Sequence, residues 1–261
     1  SIVMAPYCTA DVHIGDVVQN YEAPTTDEHE SHEFSIHHRG WTNGRAVLDW
    51  TYEHFFEPET IFVTGSSAGS IPSPFYSVKL AEHYEGARVV ALGDGSGGYR
   101  GFGDVRPHDF WGTLDVVAGV GHLTDMASED FAFHQLYVAA AKANSQIALA
   151  SYDTAEDNVQ KQFLALAGNP SESLQPLLDA NLEEISAAAP DFRAFVAGGE
   201  LHTILLRPEL YTYRVGEVSF VDWLARLAAG NAVDNVHCGN DCAEAELTET
   251  ESSSESPAGA S

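Results

Sequence analysis

Apolar positions along this chain switch between two periods, and the switches mark out the elements. Ile2-Val3-Met4-Ala5 is a short apolar run of the kind that forms a buried strand. Residues 25–33 carry Thr, Asp, Glu, His and Ser almost without interruption and read as a loop too polar to pack. From Gly40 to Phe55 the spacing becomes helical, with Trp41, Val47, Leu48, Trp50 and Tyr52 sharing a broad apolar face. Thr60-Ile61-Phe62-Val63-Thr64 is β-branched and apolar, hence a strand, and it runs directly into Gly65-Ser66-Ser67-Ala68-Gly69-Ser70. The alternation then repeats. Helices are predicted over Phe75 to Tyr84, Phe131 to Ala143 and Leu174 to Ala188, the last with a proline in it. Strands are predicted over Arg88 to Gly93, Ile147 to Ser151 and Phe192 to Ala197. Tyr211 to Phe220 reads as a small hairpin turning at Gly216, followed by a helix through Trp223 and Leu227.

Strands alternating with helices predict an α/β fold with a mostly parallel central sheet flanked by helices. One domain over residues 1–242 is expected. After it, residues 243–261 are rich in Glu, Ser and Thr, have nothing to bury and read as an acidic disordered tail. The length of 261 residues is ample for one core, and no apolar run reaches the roughly 18 residues of a membrane span. Charge excludes more. Asp and Glu number 39 against 12 Lys and Arg, a net of −27, and that field repels a phosphate backbone, so nucleic acid is not an expected partner. Only three of the basic residues are Lys (Lys79, Lys142, Lys161), a surface that screening salt would favour.

The chemistry centres on Gly65-Ser66-Ser67-Ala68-Gly69, a G-x-S-x-G set between a buried strand and a helix. A sharp strand-to-helix turn lifts the serine hydroxyl off the sheet and needs small neighbours, which Gly65, Ser66, Ala68 and Gly69 all are. The Ala68 backbone N–H, opening the next helix, is the expected oxyanion donor. A serine nucleophile needs a base and the base needs a carboxylate; with this turn the chain order is Ser, acid, His. Asp153 follows the strand Ile147 to Tyr152, and His202 follows the strand Phe192 to Ala197 through Gly198-Gly199-Glu200-Leu201. Ser67, Asp153 and His202 are therefore the expected catalytic set, with Asp94 and Asp157 as competitors for the acid.

Several collinear blocks resemble the pectin acetylesterase family, which also contains the Notum carboxylesterases. Pro6-Tyr7-Cys8-Thr9-Ala10-Asp11-Val12-His13-Ile14-Gly15-Asp16 is similar to its PYCTGDVHxG segment. His38-Arg39-Gly40 with the helix after it, and Val63 to Gly69, are similar to its helix and GxSAGG elbow. Gly93 to Gly97, Ser151-Tyr152-Asp153 and Glu200 to Ile204 resemble its later blocks. The resemblance runs from Pro6 to about Cys242. It implies an α/β-hydrolase-like fold and hydrolysis of a carboxylic ester, typically an acetyl group on a polysaccharide. Ser67 would be nucleophile, His202 base then acid, and Asp153 the orienting acid, with no metal or organic cofactor. It also implies secretion or a periplasmic location. Ser70 stands where the family has a second Gly. The family's oxyanion-hole glycines lie upstream of its PYCTGDVH segment, so the chain is expected to be N-terminally truncated and its activity reduced. The alternative is an inactive fragment or a non-catalytic carbohydrate-binding relative.

Weaker features complete the inventory. Cys8, Cys238 and Cys242 are odd in number; a local Cys238–Cys242 bridge would leave Cys8 over. Asp27, Glu28, His29, His32, Glu33, His37 and His38 form the densest set of metal-type ligands, yet lack an apolar frame and read as a solvated loop. Asp11 and His13, with Asp16, are expected at the mouth of the site, and Trp111 as a surface for a sugar ring; Trp41 and Tyr99 read as core. The −27 charge also argues against pectin itself, whose free carboxylates it repels unless salt screens them.

Overall fold

A computed structural model describes residues 1–27, 29–101, 105–239 and 242–247. Its centre is a five-stranded, all-parallel sheet ordered β3-β4-β5-β6-β9, flanked by helices. In chain order the elements are β1 (Val17–Ala23), β2 (His32–His38), α1 (Gly40–His54), β3 (Thr60–Ser66), α2 (Ser73–His83) and β4 (Arg88–Asp94). Then come α3 (Pro107–Trp111), α4 (Thr113–Val117), α5 (Gln135–Ala143), β5 (Ala148–Thr154), α6 (Asn158–Leu166), α7 (Gln175–Ala188) and β6 (Arg193–Ala197). The chain ends with β7 (Tyr213–Val215), β8 (Val218–Ser219), α8 (Phe220–Ala228), β9 (Val236–His237) and β10 (Glu246–Leu247).

Period-two alternation splits the central strands between two cores. Val89, Ala91, Leu149, Ala194 and Val196 point to one side, where Phe75, Val78, Leu136, Tyr137 and Ile185 of α2, α5 and α7 cover them. Val90, Leu92, Ala150, Tyr152, Phe195 and Ala197 point to the other, against Phe220, Trp223 and Leu227 of α8. By the same parity Asp153 falls on the α5–α7 side and Asp94 on the α8 side. Strands buried on both faces explain why the apolar runs of β4 to β6 are nearly continuous. The proline of α7 sits in its first turn, where no N–H is needed.

Three expectations change. Ile2-Val3-Met4 forms no strand; Ile2 is 95% and Met4 75% exposed. The stretch around the polar loop instead holds an antiparallel ribbon, β1 with β2, paired from Val17↔His38 to Ala23↔His32. Its alternation of half-buried and exposed residues in β1 is strand-like, but the His and Glu content of β2 masks it. Last, the tail was expected from residue 243, yet β10 pairs with β7 (Glu246↔Arg214, Leu247↔Tyr213) in a three-stranded sheet with β8. Residues 248–261 lie outside the described residues. No described helix is long and apolar enough to cross a membrane.

Candidate active site

Parallel strands deliver their loops to one edge of the sheet, and the expected chemistry collects at the carboxyl ends of β3 to β6. β3 ends at Ser66, and Ser67 follows in the left-handed region with φ +57°. A non-glycine residue there costs of the order of 1–2 kcal/mol and persists only where the surroundings impose it. The imposing geometry is visible: a Cβ on Gly65 would stand 2.2 Å from the Gly69 carbonyl oxygen, so the chain folds back on itself within four residues. Ser67 C=O accepts from Ser70 N–H at 2.9 Å, closing a single 3-10 turn. Ala68 is in the first turn, where a backbone N–H has no intrahelical acceptor. Gly69 itself faces open space. Ser70 is fully buried and donates to Ser96 Oγ.

His202 is presented by the loop after β6. That loop is laced along the loop after β5: Glu156 N–H donates to Gly199 C=O (3.0 Å), Thr154 Oγ1 to Leu201 C=O (2.8 Å) and Asn158 Nδ2 to Glu200 (2.6 Å). From behind, Gly199 N–H donates to Cys242 C=O at 2.8 Å, and a Cβ on Gly198 would meet the Glu244 carbonyl at 2.1 Å. The expected disulfide alternative is realised as Cys238–Cys242, tying this backing segment to β9, while Cys8 is a free, exposed thiol.

The carboxylate that meets His202 is Asp157 and not the expected Asp153. His202 Nδ1 donates to Asp157 Oδ2 at 2.7 Å, a bond that leaves Nε2 as the acceptor nitrogen of the neutral ring. Asp157 is the N-cap of α6: its Oδ1 accepts from Val159 N–H (2.9 Å) and Gln160 N–H (3.1 Å). Asp153 does not reach the histidine because β5 runs on through Thr154, and its side chain turns to the α5–α7 face. There Oδ1 accepts from Gly97 N–H (2.7 Å) and Gln160 Nε2 (3.2 Å), and Oδ2 is buried with no hydrogen-bond partner. Gln160 Nε2 also donates to Asp157 Oδ2 at 3.0 Å, linking the two carboxylates. Burial, with Asp157 and Asp94 adding repulsion, pushes the Asp153 carboxyl up to about 7, against the bonds from Gly97 and Gln160. The missed signal was Asp157-Asn158-Val159-Gln160, an Asp-x-x-Gln helix start. His202 Nε2 is buried without a partner, so it does not hydrogen-bond the Ser67 hydroxyl here; such contacts are often long without substrate.

The peripheral expectations fare differently. Asp11 is completely buried and used up: it accepts from Thr9 Oγ1 (2.5 Å), His13 N–H (3.2 Å) and Gly40 N–H (2.6 Å), capping α1. Expected at the mouth of the site, it stands in the structure as an internal post, bracing a segment in which Ala10, Val12 and His13 all have positive φ. His13 is half-buried, its ring tilted against Tyr7 with centroids 4.8 Å apart, and burial lowers its affinity for a proton. Asp16 pairs with Arg39 at 2.9 Å. Trp111 is half-buried at the end of α3, its ring parallel to Phe133 at 6.5 Å and packed on the core, as are Trp41 and Tyr99. Within the polar stretch, His38 bonds Tyr21 and the Thr9 carbonyl, and Glu28 lies outside the described residues. Among the described residues, the group of metal-type donors is His237 with Cys238 and Cys242, whose sulfurs are tied to each other.

No protein-family model matches the chain, and no curated protein matches it.

Proposed function

We propose that the chain is a serine carboxylic-ester hydrolase with an α/β-hydrolase-like fold, acting on an acetyl ester of a polysaccharide through an acyl-enzyme. The observation that carries this reading is Ser67 at φ +57° on a glycine-enforced strand-to-helix turn, at the same sheet edge as a histidine whose Nδ1 is held by a buried, helix-capping aspartate. In that arrangement Ser67 Oγ attacks the ester carbonyl as His202 Nε2 takes its proton. His202 then returns the proton to the departing sugar oxygen, and water, activated the same way, releases acetate. Asp157 holds the tautomer and stabilises the imidazolium. Ala68 N–H donates to the oxyanion; a second donor of the kind the similar family places upstream of its PYCTGDVH segment would complete the hole. A neutral acetylated glycan suits the −27 surface better than pectin, and the Cys238–Cys242 disulfide supports an exported, oxidising location.

The test is hydrolysis of p-nitrophenyl acetate, a longer acyl ester and acetylated glycans, with covalent labelling by a fluorophosphonate. Turnover and labelling are expected in the wild type, with turnover lower by about 10³-fold or more in Ser67→Ala and labelling lost. A wild type that neither turns over nor labels, yet binds the glycan, would instead identify a non-catalytic carbohydrate-binding protein.

A further inference from the structure

Ser67 and His202 sit on separate loops, and one carboxylate joins those loops. Asp94, the last residue of β4, is fully buried. Its Oδ2 accepts from Ser66 Oγ at 2.7 Å and from Leu205 N–H at 3.0 Å. Ile204 N–H donates to Oδ1 at 2.9 Å and, bifurcated, to Oδ2 at 3.2 Å. Ser66 immediately precedes the left-handed Ser67. Ile204 immediately follows Thr203, which is also left-handed at φ +61° and is the residue after His202. The same side chain is thus anchored one residue before one strained position and one residue after the other.

Asp94 takes no part in the hydrogen bond to His202 Nδ1, which belongs to Asp157, so it is not a spare acid. Nor is it simply filling space. The left-handed turn at Thr203 aims two consecutive N–H groups at its carboxylate, and Gly95 brings β4 against the same turn, where a Cβ would stand 3.0 Å from Thr203 Cγ2 and 3.5 Å from His202 Nδ1. Burial raises the Asp94 proton affinity while the Ser66, Leu205 and Ile204 donors oppose it, a carboxylate whose cost of burial is offset by these contacts.

We propose that Asp94 is a positioning residue, a clamp that sets the nucleophile turn and the histidine loop in mutual register. The inference rests on the esterase reading of the site and deepens it. A clamp of this kind acts on the geometry of attack, so its loss lowers kcat more than it raises KM.

The experiment uses Asp94→Asn and Ser66→Ala, the second sparing the buried carboxylate should the first fail to fold. In Asp94→Asn, kcat for p-nitrophenyl acetate is expected to fall about 10–100-fold with KM within about threefold, and Ile204 and Leu205 amides to exchange hydrogen faster while β5 amides stay protected. Ser66→Ala is expected to lower kcat about threefold to tenfold. Adding Ser66→Ala to Asp94→Asn should then cost less than it does alone, because the two act through one contact. Either variant folded with kcat within twofold of the wild type, or folded Asp94→Asn with Ile204 and Leu205 exchange unchanged, overturns the clamp. A wild type that hydrolyses no ester and takes up no fluorophosphonate sinks the esterase reading instead, and the clamp's catalytic role with it.

Discussion

The Ser67 turn and the His202 loop face the same edge of the sheet but are held in place by different physics. The serine turn is enforced by short-range sterics: Gly65 folds against Gly69, Ser67 takes the left-handed conformation and the Ser70 N–H closes the ring, all within six residues. The histidine loop is held by hydrogen bonds from far along the chain, from Asp94, Thr154, Glu156, Asp157, Asn158 and the Cys242 carbonyl. A local steric device tolerates little change at one or two positions. A distributed hydrogen-bonded one spreads its dependence over many residues, none of which looks special in sequence.

That contrast can be broken most sharply at the acid. Asp157→Asn keeps the shape of the cap but no longer favours the Nδ1-protonated ring, so kcat is expected to fall about 10⁴-fold. Asp153→Asn, one link further away through Gln160, is expected to stay within about tenfold; steady-state kinetics of the two variants decide, and the reverse ranking would restore Asp153 as the acid. The next effect is on stability. The folded Asp153 carboxyl binds its proton up to about 7 against an ordinary 3.8. Between those values the native state keeps a proton that the unfolded chain has released, so wild-type stability declines as pH rises through that window and is flat above it. The non-titrating Asp153→Asn therefore gains on the wild type from about pH 4 to about pH 7, with a ceiling of about 4 kcal/mol at roughly 1.4 kcal/mol per unit. Urea midpoints at about pH 4 and about pH 8 measure it, and equal gaps at both would refute the shift.

The smallest expected effect tests the steric side. Gly65→Ala places a Cβ against the Gly69 carbonyl and should cost about 2–3 kcal/mol. Gly69→Ala, with open space around it, should stay within about 0.5 kcal/mol. Denaturation of the two variants side by side separates a turn that needs one glycine from one that needs both.

Much of this was legible in advance for a physical reason. β4, β5 and β6 are short apolar strands bounded by turn residues, buried on both faces, and the edge strand β3 keeps the same apolar, β-branched run half-buried. The G-x-S-x-G turn was readable because its constraint is local. Two things were not. Ile2-Val3-Met4 is apolar enough to be a strand, but a strand exists only through a ladder partner, and it has none among the described residues. Asp153 and Asp157 lie four residues apart near the end of the same strand; which one meets His202 depends on where β5 stops, since Asp153 falls inside it with its side chain on the α5–α7 face while Asp157 lies beyond it as the cap of α6.

The sequence by itself determined the α/β alternation, the position of the tight serine turn and the net charge of −27. Only the tertiary structure decided which carboxylate orients the histidine, that Asp11 is an internal post, that Glu246–Leu247 pair with β7, and that Asp94 ties two loops together across more than a hundred residues. The reason is range. Sterics and periodicity act over a few residues and are written in order along the chain, whereas a hydrogen bond between distant loops exists only once the sheet has brought their ends to one edge.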